Sequence, residues 1–169
     1  LILFDFGVHW FDFLASLVGT RAKTVFATRA RAEGQSVRQP LLSQALVSLE
    51  GGQASLIFDG STPFGPLNTT YISGTRGSIS STGPDLAKQQ VTLTTEAGRA
   101  TPRLTGTWFN DGFRGAMGEL LCAIVEDREP GHGAAANLHS LALTFAALKS
   151  AQDGITVDIG AVRTLPQTG

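Results

Sequence analysis

The strongest constraint on the fold is a pair of alternating segments on either side of Gly51-Gly52. Before these two glycines, Ala45, Val47 and Leu49 alternate with Gln44, Ser48 and Glu50, and after them Ala54, Leu56 and Phe58 alternate with Gln53, Ser55 and Asp59. A period of two places every apolar side chain of a strand on the same face. A Gly-Gly pair between two such runs is typical of a tight hairpin. We therefore predict a hairpin with one buried face, formed by Ala45, Val47, Leu49, Ala54, Leu56 and Phe58.

Further elements are predicted on both sides of this hairpin. The spacing predicts a first helix that ends at Gly19, and two later helices, one opening near Asn110 or Asp111 and one capped by Asn137. Strands are predicted at 24–28, 68–73, 78–82, 91–95 and 155–159. This order predicts an α+β domain whose mainly antiparallel open sheet has about six or more strands, with helices packed on one face.

The composition favours a soluble protein with a partly covered surface. The net charge is −1 without basic clusters, which supports neither a nucleic-acid surface nor a polybasic membrane patch. A single cysteine and the lack of a long apolar run favour a cytoplasmic location. Only 16% of residues are charged, against a usual share of about 25%. Since the chain also begins at Leu1, we expect residues 1–169 to be one domain, the C-terminal half of a longer protein.

A polar stripe lies on the otherwise apolar first helix. At about 100° per residue, with Asp5 at zero, His9 falls at about 40°, Asp12 at about −20° and Ser16 at about 20°. A helix that is apolar nearly all round should be buried. Buried carboxylates beside an imidazole are costly unless they pair or perform chemistry. The stripe is therefore the candidate site.

The stripe contains the groups that oxidation of an alcohol requires from a protein. Histidine is the usual proton acceptor near neutral pH, and Asp5 is spaced to orient or support the His9 ring. Asp12 is placed to accept a substrate hydroxyl. Several acceptors in a row match a polyol. The chain has no G-x-G-x-x-G after a strand, so it supplies a base but no hydride acceptor.

Two other interpretations of the stripe stay open. It is also typical of the solvated edge of a helix that is otherwise buried. A metal site is a weaker alternative, because the three side chains are spread along roughly 10 Å of helix rise. We therefore predict no metal site.

Other polar or reactive residues receive structural interpretations. We expect Cys122 to be a small core residue, His132 to lie in a loop and His139 to lie on a helix surface. Trp10 and Trp108 are interpreted as packing residues, although Trp10 is placed to line a pocket wall beside His9.

The run Asp5-Phe-Gly-Val-His9-Trp-Phe-Asp12, closing at Gly19, resembles the start of the C-terminal domain of the Gfo/Idh/MocA family (glucose–fructose oxidoreductase and inositol dehydrogenase type). The resemblance continues in order through the Gly51-Gly52 hairpin and the turn at 74–78. It then includes the segments 111–119 and 127–130 and the helix end at 147–154, and so extends over nearly the whole chain.

The resemblance implies the C-terminal domain of an NAD(P)-dependent oxidoreductase that acts on a CH-OH group of a sugar, polyol or inositol. In it, His9 matches the catalytic histidine, Asp5 the preceding aspartate and Asp12 a further acid of the pocket. An N-terminal Rossmann domain, absent from this chain, would bind NAD or NADP, so the isolated fragment is expected to be inactive. The sheet would form a homodimer or homotetramer.

Two competing functions share this fold. One is a non-catalytic dimerisation or ligand-sensing module. The other is the NAD-dependent glycosidase branch of the same superfamily. The sequence identifies neither the substrate nor the choice between NAD and NADP.

Overall fold

A computed structural model describes residues 2–166. Within that range the chain begins with a π-helical turn, Ile2–Phe6, that leads directly into helix α1, Gly7–Val18. Helix α2 is Trp108–Val125 and helix α3 is Ala134–Asp153. The strands are β1 Ala22–Ala30, β2 Leu42–Leu49, β3 Gly52–Asp59, β4 Asn68–Gly74, β5 Gly77–Gly83, β6 Gln90–Thr95, β7 Gly98–Ala100 and β8 Val157–Asp158.

The chain forms two compact units. The first contains the residues up to Ser61 and those from Gly131 onward, and the second is Thr62–Pro130. The first unit has an antiparallel sheet in the order β3-β2-β1-β8, and the second has an antiparallel sheet in the order β4-β5-β6-β7.

The α+β class and the antiparallel pairing are confirmed, with the strands divided between two sheets rather than joined in one. Between β3 and β4 the chain passes through Pro63 and Pro66. Proline has no amide hydrogen to donate to a strand ladder. The first ladder therefore ends at Asp59 and a new one starts at Asn68.

The predicted hairpin is formed by β2 and β3. Val47 lies opposite Ala54 and Leu49 opposite Gly52, which leaves Glu50 and Gly51 as the loop. Gly51 has φ 79°, a left-handed conformation that favours glycine. The five other predicted strands, at 24–28, 68–73, 78–82, 91–95 and 155–159, correspond to β1, β4, β5, β6 and β8.

The core of the first unit lies between α1, α3 and one face of its sheet. Phe11 and Leu143 are fully buried from the helix side, and Val25 and Val47 from the sheet side. The prediction of helices on a single face is thus confirmed for this sheet. Its opposite face exposes Leu46 and Ile57.

Two helix starts and one core residue were predicted wrongly. Helix α2 begins at Trp108, before Asn110, and α3 begins at Ala134, before Asn137. Alanine has the highest helix propensity, so residues 134–136 extend α3 toward its N-terminus. Cys122 is exposed rather than buried, because nothing in the described part of the chain covers that side of α2.

Candidate active site

The polar stripe is built on two kinds of helix. Asp5 belongs to the π-helical turn, whereas His9 and Asp12 belong to α1. A π-helix closes its hydrogen bonds over five residues and advances less per residue than an α-helix. The angles predicted for a regular α-helix therefore apply to His9 and Asp12, but not to Asp5.

The stripe is exposed, which corrects the expectation of buried carboxylates. Asp5, His9 and Asp12 are all exposed in this chain. The helix buries its opposite side, where Gly7, Phe11 and Ala15 follow one another every four residues. A spacing of four keeps side chains on one face of a helix, so the polar residues point outward.

An aromatic row runs along α1 beside the stripe. Phe6 and Trp10 have ring centroids 6.2 Å apart, and Trp10 and Phe13 have ring centroids 6.0 Å apart, edge to face. Phe6 and Phe13 are exposed, and Trp10 is half-buried. Trp10 packs partly against the core of the first unit, and its place as a pocket wall beside His9 stays a prediction.

Asp12 is the one member of the stripe that the structure holds from another element. Its Oδ1 accepts a hydrogen bond of 2.6 Å from the hydroxyl of Ser140 on α3. By contrast, within residues 2–166 the side chains of Asp5 and His9 take part in no hydrogen bond or ion pair. The predicted support of His9 by Asp5 is therefore not a direct bond in this structure.

A second contact joins the same two helices. His139 Nε2 lies 2.9 Å from the carbonyl oxygen of Gly19, the residue that ends α1. His139 lies on the surface of α3, as predicted, and is half-buried where it makes this contact. His132 lies in a turn, as expected.

The bond from Ser140 to Asp12 was not predicted, because the two residues are 128 positions apart in the sequence. One signal was present. Ser140 occupies the same face of α3 as Leu143 and Ala147, and all three are buried. A polar residue on the apolar face of a helix needs a partner, although the sequence does not say which.

Other features bear less on the site. Among the described residues, no three His, Cys, Asp or Glu side chains cluster as a metal site requires. Of the helices in that same range, none has the length and apolar character needed to cross a membrane. A shallow depression in the second unit, lined by residues that include Tyr71, Arg76 and Glu96, contains no predicted site residue.

The fold and the stripe describe an α+β domain that presents a histidine between two carboxylates, one on the π-helical turn and one on α1. Residues 2–159 match the C-terminal alpha/beta domain of the oxidoreductase family, and the chain belongs to that family, Gfo/Idh/MocA. The resemblance expected from the sequence is thus confirmed. Among curated proteins, none matches the chain.

Solved structures share the fold at low sequence identity. An oxidoreductase from Agrobacterium radiobacter, in complex with NAD⁺, L-tartaric acid and magnesium, is 23% identical with a TM-score of 0.73, over 93% of this chain and 48% of its own. The WlbA dehydrogenase from Bordetella pertussis, in complex with NADH and UDP-GlcNAcA, is 21% identical with a TM-score of 0.70. The match covers 94% of this chain and 46% of the dehydrogenase.

A third structure, the aldose-aldose oxidoreductase from Caulobacter crescentus complexed with glycerol, is 19% identical with a TM-score of 0.73, over 90% of this chain and 45% of its own. The chain therefore spans about half the length of these proteins.

Proposed function

We propose that this chain is the substrate-binding and catalytic C-terminal domain of a cytoplasmic NAD(P)-dependent oxidoreductase. The enzyme oxidises a hydroxyl of a sugar, polyol or inositol-type compound. The observation that carries the proposal is the exposed His9 on α1, one turn before a carboxylate, Asp12, that is hydrogen-bonded from α3.

His9 is the general base in this proposal. Oxidation of an alcohol removes one proton from oxygen and one hydride from carbon. An exposed imidazole with no partner in the described chain is available to accept the proton, and it returns the proton as a general acid in the reverse direction. Asp5, one turn earlier, supports the positive charge that His9 acquires, and Asp12 accepts a hydrogen bond from a substrate hydroxyl.

NAD or NADP, when bound, supplies the hydride acceptor. We assign no residue of this chain to the nucleotide, which an N-terminal Rossmann domain would hold. The neighbouring structures support the proposal through the molecules named with them: NAD⁺ or NADH in two cases, and hydroxylated compounds such as L-tartaric acid and glycerol. A homodimer or homotetramer through the open sheet face completes the proposed assembly.

The test replaces His9 by alanine in the enzyme that carries this domain. We expect kcat for polyol oxidation to fall by roughly 10²- to 10⁴-fold, the usual contribution of a general base. Nicotinamide reduction is followed at 340 nm with a panel of sugars and inositols. His132→Ala, the same change in an exposed turn, is the matched control and should retain the wild-type rate.

The other outcomes separate the alternatives. A His9→Ala enzyme that keeps the wild-type rate from about pH 6 to pH 9 contradicts the assigned role of His9. No nicotinamide reduction by the wild-type enzyme with any substrate favours a non-catalytic module. Release of sugar from a glycoside without net change in nicotinamide favours the glycosidase branch.

A further inference from the structure

Ser140 links the most buried part of the first unit to the exposed stripe. Its side chain is 1% exposed, yet its hydroxyl donates to Asp12, whose own residue is exposed. The bond is 2.6 Å long, at the short end of the range for a hydroxyl and a carboxylate. A buried donor thus reaches outward to a group that solvent also reaches.

The backbone around Ser140 is held on the buried side of α3. Leu143 and Thr144, the next residues on the buried side of this helix, are both fully buried. Thr144 Oγ1 donates a 2.8 Å hydrogen bond to the carbonyl oxygen of Ser140. The serine hydroxyl has a single proton, and that proton is committed to Asp12.

This contact uses one oxygen of the Asp12 carboxylate and leaves the other available to accept a hydrogen bond. Oδ1 accepts the Ser140 proton, and within residues 2–166 no other hydrogen bond or ion pair involves Asp12. A carboxylate that is held by one oxygen loses rotamer freedom before a ligand arrives, so the ligand does not have to offset that loss. Oδ2 is then left as a preorganised acceptor for a ligand hydroxyl.

We propose that Ser140 is a positioning residue that holds Asp12 for hydrogen bonding to a substrate hydroxyl. This role rests on the function proposed above and adds a residue to it. Ser140 does not touch the substrate; it acts through Asp12 alone. Its effect is therefore confined to substrates that offer a hydroxyl to Asp12, and it disappears when Asp12 is removed.

A double-mutant cycle in the complete enzyme tests this role. We expect Ser140→Ala to raise KM by roughly 5- to 20-fold with kcat within about twofold, since a bond that orients a binding group acts mainly on ground-state affinity. In an Asp12→Ala background, Ser140→Ala should change KM no further, because the only partner through which Ser140 acts is gone.

A second buried serine on α3 provides the matched control. Ser150 is also fully buried, and its hydroxyl donates to the carbonyl oxygen of Ile155 and accepts from the amide of Ala27. Ser150→Ala removes hydrogen bonds that are purely structural, so it should lower Tm and leave KM at the wild-type value. If Ser140→Ala fails to fold, Ser140→Cys keeps a weak donor on a slightly larger side chain, and an intermediate KM is then expected.

Substrate analogues give an independent measurement. Each monodeoxy analogue of the substrate lacks one hydroxyl. The analogue whose KM does not change in Asp12→Ala is the one that lacks the hydroxyl bound by Asp12. Its KM should also be insensitive to Ser140→Ala. Equal effects of Ser140→Ala on this analogue and on the parent polyol would show that Ser140 acts through general packing, and the positioning role would be overturned.

The remaining outcomes distinguish this proposal from the proposed function. Turnover by the wild-type enzyme with an unchanged KM in Ser140→Ala, or the same rise in KM with and without Asp12, overturns the positioning role only. Absence of turnover by the wild-type enzyme on every polyol overturns the proposed function, and the role of Ser140 with it.

Discussion

The side chain of Asp111, near the start of α2, accepts hydrogen bonds from Thr107, the residue before that helix. Its Oδ2 accepts a 2.6 Å hydrogen bond from the amide of Thr107 and a longer one from the hydroxyl of the same residue. Its Oδ1 lies 3.0 Å from an amino group of Arg114. This arrangement resembles a capping box, in which an acidic side chain satisfies an N–H group that helix geometry leaves free. It explains why α2 begins at Trp108 rather than near Asp111.

The same hydrogen bonds predict how the start of α2 responds to pH. The Thr107 amide, helped by the charge of Arg114, lowers the pKa of Asp111 below the ordinary aspartate value of 3.8, although partial burial acts in the opposite direction. A carboxyl whose pKa is depressed on folding stabilises the fold above its unfolded pKa, and that stabilisation is lost as pH falls through the folded pKa.

We therefore expect the cap to be intact at pH 3.8 and to open as the pH falls through the lowered pKa of Asp111. The amide chemical shift of Thr107, followed by NMR during acid titration, should move with a midpoint below that value. Asp111→Asn, which does not titrate, should abolish the movement. A midpoint at or above the ordinary value in the wild-type chain would contradict the assigned hydrogen bond.

Among the elements, strand β5 ends at a position that only glycine can occupy. A Cβ atom on Gly83 would lie 1.9 Å from the carbonyl oxygen of Lys88 and 2.8 Å from its carbonyl carbon. Backbone atoms cannot move aside as the end of a side chain can. The turn between β5 and β6 therefore depends on the absence of a side chain here.

Gly83→Ala should destabilise the second unit by about 1–3 kcal/mol, the usual cost of overpacking. Gly74→Ala is the matched control on β4, because its Cβ would lie 3.7 Å from the nearest atom, an ordinary contact. Urea denaturation of both variants measures the free energy of unfolding. Equal stability of the two variants would show that the turn at Gly83 relaxes without cost.

What the sequence predicts at this scale depends on whether the signal is local. The β2–β3 hairpin follows from alternation and from Gly51, both within 16 residues. In the structure, the apolar residues predicted to share one face of the hairpin do so. The π-helical turn at Ile2–Phe6 has no residue pattern that separates it from an α-helix. The bond from Ser140 to Asp12 joins distant helices, and a single sequence carries no signal for such a pairing.

At the scale of the whole molecule, the two faces of the first sheet differ. The covered face carries Val25 and Val47, which are fully buried beneath the helices. On the open face, Leu46 is 59% exposed and Ile57 is 72% exposed. They lie diagonally across the β2–β3 ladder, since Leu46 pairs with Ser55 and Gln44 pairs with Ile57. Contiguous exposed apolar residues typically mark an interface.

The proposed assembly through this open face can be tested by placing charge on it. Leu46→Lys combined with Ile57→Lys should break the contact through this face and lower the mass of the assembly, because each unpaired charge buried there costs several kcal/mol. Light scattering after size-exclusion chromatography measures the mass. Gln152→Lys, an exposed change on α3, adds charge away from the open face and should leave the mass unchanged.

Since α1 and α3 lie on the covered face, the dissociated enzyme should keep the bond from Ser140 to Asp12 and therefore the wild-type KM. A double-lysine variant that keeps the wild-type mass would place the subunit contact elsewhere.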